Sequence, residues 1–148
     1  MVSPEMLRRF NCFSPVREES LKALATIARE ESVAAGRQIF GEGDPADTLG
    51  LIVDGEIDIQ YLLGSGESRV VDTLIAGDIL GWSALVEPHK MTGIATTCKA
   101  TRLIRIQAQP LRELCERDPL LGYRLSTQVI RLLADRLEGT RAQLATAD

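Results

Sequence analysis

Between residues 36 and 81 the chain is interrupted by glycine every few positions, at Gly36, Gly41, Gly43, Gly50, Gly55, Gly64, Gly66, Gly77 and Gly81. The apolar runs between them are strand-sized, so this stretch can fold only as short strands joined by tight turns. Glu56-Ile57-Asp58-Ile59-Gln60-Tyr61 alternates polar and apolar residues, as a strand with one buried face requires. Residues 49–53, 70–74, 95–100 and 103–106 read as further strands. The pattern predicts a barrel, roll or jelly roll.

Helical periodicity flanks this region on both sides. Over residues 14–31, Leu21, Leu24, Ala25, Ile27 and Ala28 recur at helical spacing, and Ser14-Pro15 supplies a cap followed by a first-turn proline. After Pro110, Leu111, Leu114 and Cys115 mark a short helix, and Asp118-Pro119 opens a long one. Its apolar positions Leu121, Leu125, Val129, Leu132, Leu133, Leu137 and Leu144 keep spacings of three and four. The expected partition is a single α+β, mainly β, domain over residues 1–148. It comprises an N-terminal helix at 14–31, the β-roll at 32–107 and C-terminal helices at 109–145. The long helix has more apolar surface than one roll can cover, which predicts a homodimer through that helix.

Composition closes several alternatives. A chain of 148 residues with 45% hydrophobic and 26% charged residues has the make-up of one globular domain, and disorder has little support. Seventeen basic against 21 acidic residues leave a net charge of -4, the wrong sign for direct nucleic-acid binding. Glu5, Arg8 and Arg9 occupy the place of an apolar signal region, no run approaches a membrane span, and Cys12, Cys98 and Cys115 lack CxxC spacing. The expectation is a cytoplasmic protein with reduced thiols, no disulfide framework and no zinc site.

The order of helix, Gly-rich roll, short helix and long helix resembles the cyclic-nucleotide-binding domains of the catabolite-activator / fumarate-nitrate-regulator (Crp/Fnr) family. Gly36-Arg37-Gln38-Ile39-Phe40, Gly43-Asp44-Pro45-Ala46-Asp47 and Leu51-Ile52-Val53-Asp54-Gly55-Glu56-Ile57 resemble its opening strands and turns. Gly77-Asp78-Ile79-Leu80-Gly81 resembles its Gly-Asp-x-Phe-Gly lead into the phosphate cassette. The resemblance spans about residues 10–142 and implies a double-stranded β-helix, or jelly roll, in a non-enzymatic signalling or transcription-regulating module. A chain ending at Asp148 is expected to lack the family's DNA-reading helix-turn-helix.

The family's cassette reads Gly-Glu-x-Ala-Leu, a turn, then Arg-x-Ala-x-Val-x-Ala. The glutamate accepts the ribose 2′-hydroxyl and the arginine pairs with the cyclic phosphate. Here Gly81-Trp82-Ser83-Ala84-Leu85 places Trp82 at the glutamate. Counting back from Ala100, Ile94-Ala95-Thr96-Thr97-Cys98-Lys99-Ala100 places Ile94 at the arginine. Both anchors are then missing, and cyclic nucleotide is disfavoured as a ligand. Two substitutes exist: Lys90 as a point charge if the turn is gapped, and hydroxyl donors from Ser83, Thr92, Thr96 or Thr97. Trp82 either stacks on a planar ligand or plugs the ligand's space, the plug being the preferred reading. On the long helix, Thr140 resembles the threonine with which relatives touch the base.

Other chemistry finds no carrier. An iron-sulfur sensor needs about four cysteines, a haem sensor needs an axial ligand better placed than the single, solvent-exposed His89, and no catalytic set stands out. The expected function is a sensor or regulatory domain with a degenerate cassette. Two alternatives remain: the ligand-sensing part of a Crp/Fnr-type transcription regulator, cut short or acting through a partner, and a ligand-free structural interaction domain.

Overall fold

The computed structural model describes residues 2–146. Among these, eight strands are formed: β1 (Ala28–Val33), β2 (Gln38–Phe40), β3 (Thr48–Asp54), β4 (Glu56–Leu62), β5 (Ser68–Ile75), β6 (Ile79–Leu80), β7 (Ile94–Thr97) and β8 (Thr101–Gln107). They make two four-stranded sheets with orders β1-β8-β3-β6 and β2-β7-β4-β5, every pairing antiparallel. Only β4 and β5 are both consecutive and paired, and every other connection between successive strands crosses between the sheets. That is the jelly roll expected from the glycines.

Strand β8 shows how the sequence serves two cores. Leu103 faces the roll interior with Ile52, Ile57, Ile59, Leu74, Leu80 and Ala95. Ile104 and Ile106 face the opposite way, packing with Leu49 and Leu51 against the helices. Strand β3, inside the first sheet, is buried on both faces, which explains its unbroken apolar run. The helices covering it are α1 (Pro4–Arg8), α2 (Glu18–Thr26), α3 (Ala108–Arg117) and α4 (Pro119–Thr146), which present Leu7, Leu21, Leu24, Leu111, Leu121 and Leu125.

Gly55 allows the sharp β3–β4 turn. Its φ is +116°, and a Cβ there would lie 2.4 Å from Thr101 Oγ1 and 2.6 Å from Thr101 Cα. Gly55→Ala is expected to cost about 2 to 4 kcal/mol, from strained backbone and overpacking together. Gly66→Ala, at φ +89° but with open space around it, is expected to cost about 1 kcal/mol. Denaturant midpoints of the two variants check the difference.

The N-terminal boundary differs from expectation. The helix expected over residues 14–31 runs only from Glu18 to Thr26, and Ala28–Val33 is strand β1, so the roll starts before residue 32. Ile27 and Ala28 continue the helical spacing, but pairing of Ala28 with Ile106 and of Val33 with Thr101 along β8 prevails. Ser14-Pro15 does not cap the helix; Arg17 stands at the N-cap without a side-chain bond. An unforeseen turn of helix, α1, has the cap instead, with Met6 N–H donating to Ser3 Oγ at 3.2 Å. At the other end α3 begins at Ala108 and α4 reaches Thr146, one residue beyond each expected bound. The strand expected over 95–100 stops at Thr97.

Asp118, buried at the α3–α4 junction, locks the helices to α2. It accepts from Ser20 Oγ and from Leu121 N–H at 3.4 Å, and Arg17 Nη2 lies 3.9 Å away. The Ser20 hydrogen bond, aided by the Leu121 amide and Arg17, holds its pKa below the ordinary 3.8 despite burial. A depressed carboxylate pKa stabilises the fold above the unfolded value, and that stability disappears as pH falls through the folded one. Asp118→Asn is therefore expected to destabilise the protein at pH 7, with the deficit shrinking below about pH 4 in urea titrations.

Candidate functional site

The cassette is built where β6 ends. Gly81, at φ +82°, turns the chain into a single 3₁₀ turn, Trp82–Leu85, and the connection then returns through Met91 to β7. Trp82, Ser83, Met91, Thr92 and Gly93 join Gly81 around a cavity between the sheets, closed on the inside by Phe40, Ile59, Leu74 and Ile79. Tyr61 of β4 and Arg136 of α4 complete its wall. The cavity holds about 30 Å³. A water needs roughly 10–15 Å³ on this measure, whereas ligand sites are typically hundreds of Å³, so this one admits water and no nucleotide as it stands.

Met91 packs tightly into its wall. Its side chain is 7% exposed, and its Cε would lie 3.2 Å from a Cβ at residue 81, so thioether and glycine are in close packing. Gly93 permits a similar approach on the other side, because a Cβ there would lie 2.7 Å from the Tyr61 ring. The pocket wall thus combines apolar and aromatic groups packed against glycines with the polar side chains of Ser83, Thr92 and Arg136.

The predicted site residues separate into two groups. Gly81, Trp82, Ser83 and Thr92 line the cavity. Ala84 and Leu85 turn away from it to pack with the helices. Ile94 is a correction: it lies in β7 opposite Gln60, not in the cavity wall, and Met91 occupies the wall instead. β7 ends at Thr97, three residues short of Ala100, so Ile94 begins the strand and is held in its pairing. Ala95 belongs to the roll core and Thr96 pairs with Gln38. Thr97 is buried and structural: it accepts from Arg37 N–H at 2.9 Å and donates to Ala34 O at 2.7 Å. Lys90 is exposed on the turn, outside the cavity. His89 is not simply solvent-exposed; it is half-buried at φ 58°, with Nδ1 3.1 Å from Ser83 O.

Thr140 lies elsewhere but nearby. It lines a second, open cavity of about 570 Å³ in the seam between α4 and the β4–β5 hairpin, which shares Tyr61, Leu74 and Arg136 with the first. Sequence reasoning missed Arg136, Met91 and the aromatic wall of Phe40 and Tyr61. Arg136 Nη2 lies 2.5 Å from Asp72 on β5, tying the long helix to the edge strand. On the other side, Arg112 of α3 donates to Ala84 O at 2.7 Å. Both C-terminal helices are therefore attached to the pocket's walls.

A different cluster, Glu56, Asp58 and Cys98, brings its ligand atoms within 4.8 Å of one another. Lys99 Nζ is 3.2 Å from Glu56, and Thr73 Oγ1 donates to Asp58 at 2.9 Å, so both carboxylates are engaged. Desolvation, a hydrogen bond to Asp58 and the two negative charges push the Cys98 thiol up to about 11. A thiol protonated at neutral pH is a poor metal ligand.

The comparisons with known proteins agree with this geometry. The family model "Cyclic nucleotide-binding domain" matches residues 30–118, and the chain belongs to that family. A solved cyclic nucleotide-binding protein of Geobacter metallireducens GS-15 is 34% identical, with 93% of this chain and 99% of that one covered at a TM-score of 0.81. A CRP-like cAMP-activated global transcriptional regulator of Mycobacterium tuberculosis is 28% identical over 141 residues, 95% of this chain. The chain spans only 61% of that regulator's length. The sensor domain of the Pseudomonas aeruginosa transcriptional regulator DNR shares the fold at 16% identity, with 90% of each chain covered and a TM-score of 0.75. The protein is thus a non-enzymatic sensor or regulatory domain of the cyclic-nucleotide-binding type, related to Crp/Fnr sensors. Among the described residues no helix is long and apolar enough to cross a membrane.

Proposed function

We propose that this domain keeps the family's frame and helix coupling but has given up the cyclic-phosphate anchor, so that it senses something other than a cyclic nucleotide. The observation that supports this best is that Met91 and Trp82 wall a cavity of about 30 Å³. When the family pattern Arg-x-Ala-x-Val-x-Ala is started at the cavity wall it falls on Met91-Thr92-Gly93-Ile94-Ala95-Thr96-Thr97. Met91 then stands at the arginine and Trp82 at the glutamate. Neither side chain offers a phosphate a charge-assisted hydrogen bond.

A signal has a route outward. A ligand entering beside Met91 must displace the Trp82–Leu85 turn, the β4–β5 hairpin or α4. The Arg112–Ala84 and Arg136–Asp72 contacts carry such a shift to α3 and α4. Titrating cyclic AMP or cyclic GMP to millimolar concentration is expected to leave the emission of Trp82, the chain's single tryptophan, unchanged. A saturable spectral shift at micromolar nucleotide would refute the reading.

Pairing through α4 belongs to the same reading. Tyr123, Ile130, Leu137 and Leu144 repeat every seven residues and are 66%, 64%, 50% and 71% exposed, with Leu120 on the same stripe. This is the seam of a two-stranded coiled coil, and a second copy of the chain supplies the matching stripe.

A further inference from the structure

We infer that the groove between β1, the loop before β3 and the start of α3 is a binding site for a zwitterionic amino acid with a neutral polar side chain. The site is separate from the cassette. At about 770 Å³ the groove has the size of a ligand site, and it shares no lining residue with the cassette cavity or with the α4 seam.

Opposite charges face this groove without pairing. Arg29, Asp47, His89, Arg112 and Glu113 all line it. Ion pairs form readily elsewhere on the surface, where Arg102 is bracketed by Glu30 and Asp54. Among the described residues, however, neither Asp47 nor Glu113 makes an ion pair or a side-chain hydrogen bond. Arg112 makes no ion pair either, and the one carboxylate near Arg29, that of Glu31 at 3.8 Å, lies closer to Arg105 at 3.1 Å. Cations and anions thus share one groove out of contact with each other, and a ligand that carries both charges bridges them.

The same arrangement selects against simpler ions. A lone anion in the groove would meet Asp47 and Glu113, and a lone cation would meet Arg29 and Arg112. Gln107 and Gln109 add two primary amides, each both donor and acceptor, for a polar side chain. The apolar part of the wall is only Ala46, Ala108 and Pro110, so a flat ring finds no Phe, Tyr or Trp to stack on.

The groove also grips the cassette from behind. Arg112 donates to Ala84 O at 2.7 Å, and His89 Nδ1 lies 3.1 Å from Ser83 O, so two groove residues hold successive carbonyls of the Trp82–Leu85 turn. A ligand carboxylate competes with the Ala84 carbonyl for Arg112, and the charged acceptor is the stronger one. Filling the groove therefore biases the turn and α3 with no guest in the cassette cavity.

The test titrates three matched probes into the full chain: L-glutamine, Nα-acetyl-L-glutamine, which lacks the ammonium, and L-glutaminamide, which lacks the carboxylate. Backbone amide shifts locate the site and give the affinities. L-Glutamine is expected to shift residues 46–48, His89 and the start of α3, and to bind at least about fivefold more tightly than either derivative, the discrimination that a partly solvated charge contact supplies. Asp47→Asn with Glu113→Gln is expected to erase the preference over the acetylated probe and to keep the preference over the amide. Folding is expected to survive, since neither carboxylate bonds another part of the chain. No shift at about 10 mM L-glutamine, equal affinity for the three probes, tighter binding of either derivative, or a preference over the acetylated probe that survives the double substitution would each overturn the inference. Cyclic AMP added to the same sample bears on the cassette alone: micromolar binding would contradict the lost anchor and leave the glutamine result standing.

Discussion

Replacing Met91 by Arg and Trp82 by Glu together is expected to raise cyclic AMP affinity by about thirtyfold or more. The gain follows from the worth of a buried, hydrogen-bonded charge contact, about 2 to 5 kcal/mol, at tenfold in affinity for every ~1.4 kcal/mol. The frame for it is already present, because Gly81, Ser83 and Gly93 keep the turn and the close approaches around the cavity. Replacing the indole of Trp82 by the smaller glutamate also frees space at the cavity wall. Ile94→Arg is the control: Ile94 faces Gln60 across the β4–β7 pairing and does not line the cavity, so an arginine there is expected to gain nothing. Calorimetric titration of the three proteins decides between the two registers. A gain from Ile94→Arg and none from the double variant would restore the alignment counted back from Ala100.

Charging the α4 stripe is expected to have a comparably large effect on assembly. Ile130→Glu with Leu137→Glu places two carboxylates on each helix of a seam that is otherwise apolar, so the dimer must bury four unpaired charges or dissociate. The expected result is a dimer for the parent and a monomer for the variant in sedimentation at tens of micromolar. Folding is expected to survive, since the buried face of α4 uses Leu121, Leu125 and Val129 and leaves Ile130 and Leu137 outside. A monomeric parent, or a variant that stays dimeric, would contradict the proposed seam.

These two cases also show where the sequence was readable. The jelly roll was legible because Gly36, Gly43, Gly55, Gly77 and Gly81 all adopt positive φ, a demand that only the turn chemistry of a roll explains at such spacing. Strand β4 was legible from its alternation of polar and apolar residues, and β3 and β8 from short apolar runs of strand length. The N-terminal helix was over-extended because Ile27 and Ala28 fit a helical face, and only the partner strand β8 reveals that they leave it. The register of the cassette was harder to read because the turn between Leu85 and Met91 has no periodicity from which to count. On α4, Leu137 and Leu144 were read as part of one apolar face, yet they stand on a second stripe with Ile130 and Tyr123. Arg136 was invisible for another reason: an arginine on a long helix looks solvated until the β5 edge, with Asp72, is seen to fold over it.

The central claim is that the cassette lacks a cyclic-phosphate anchor, and the most direct measurement is a calorimetric titration of the unmodified protein with cyclic AMP and cyclic GMP. The account predicts no saturable heat below millimolar nucleotide for either. A one-to-one isotherm with a micromolar Kd would show that the pocket walled by Met91 and Trp82 opens to a phosphate after all, and would contradict it.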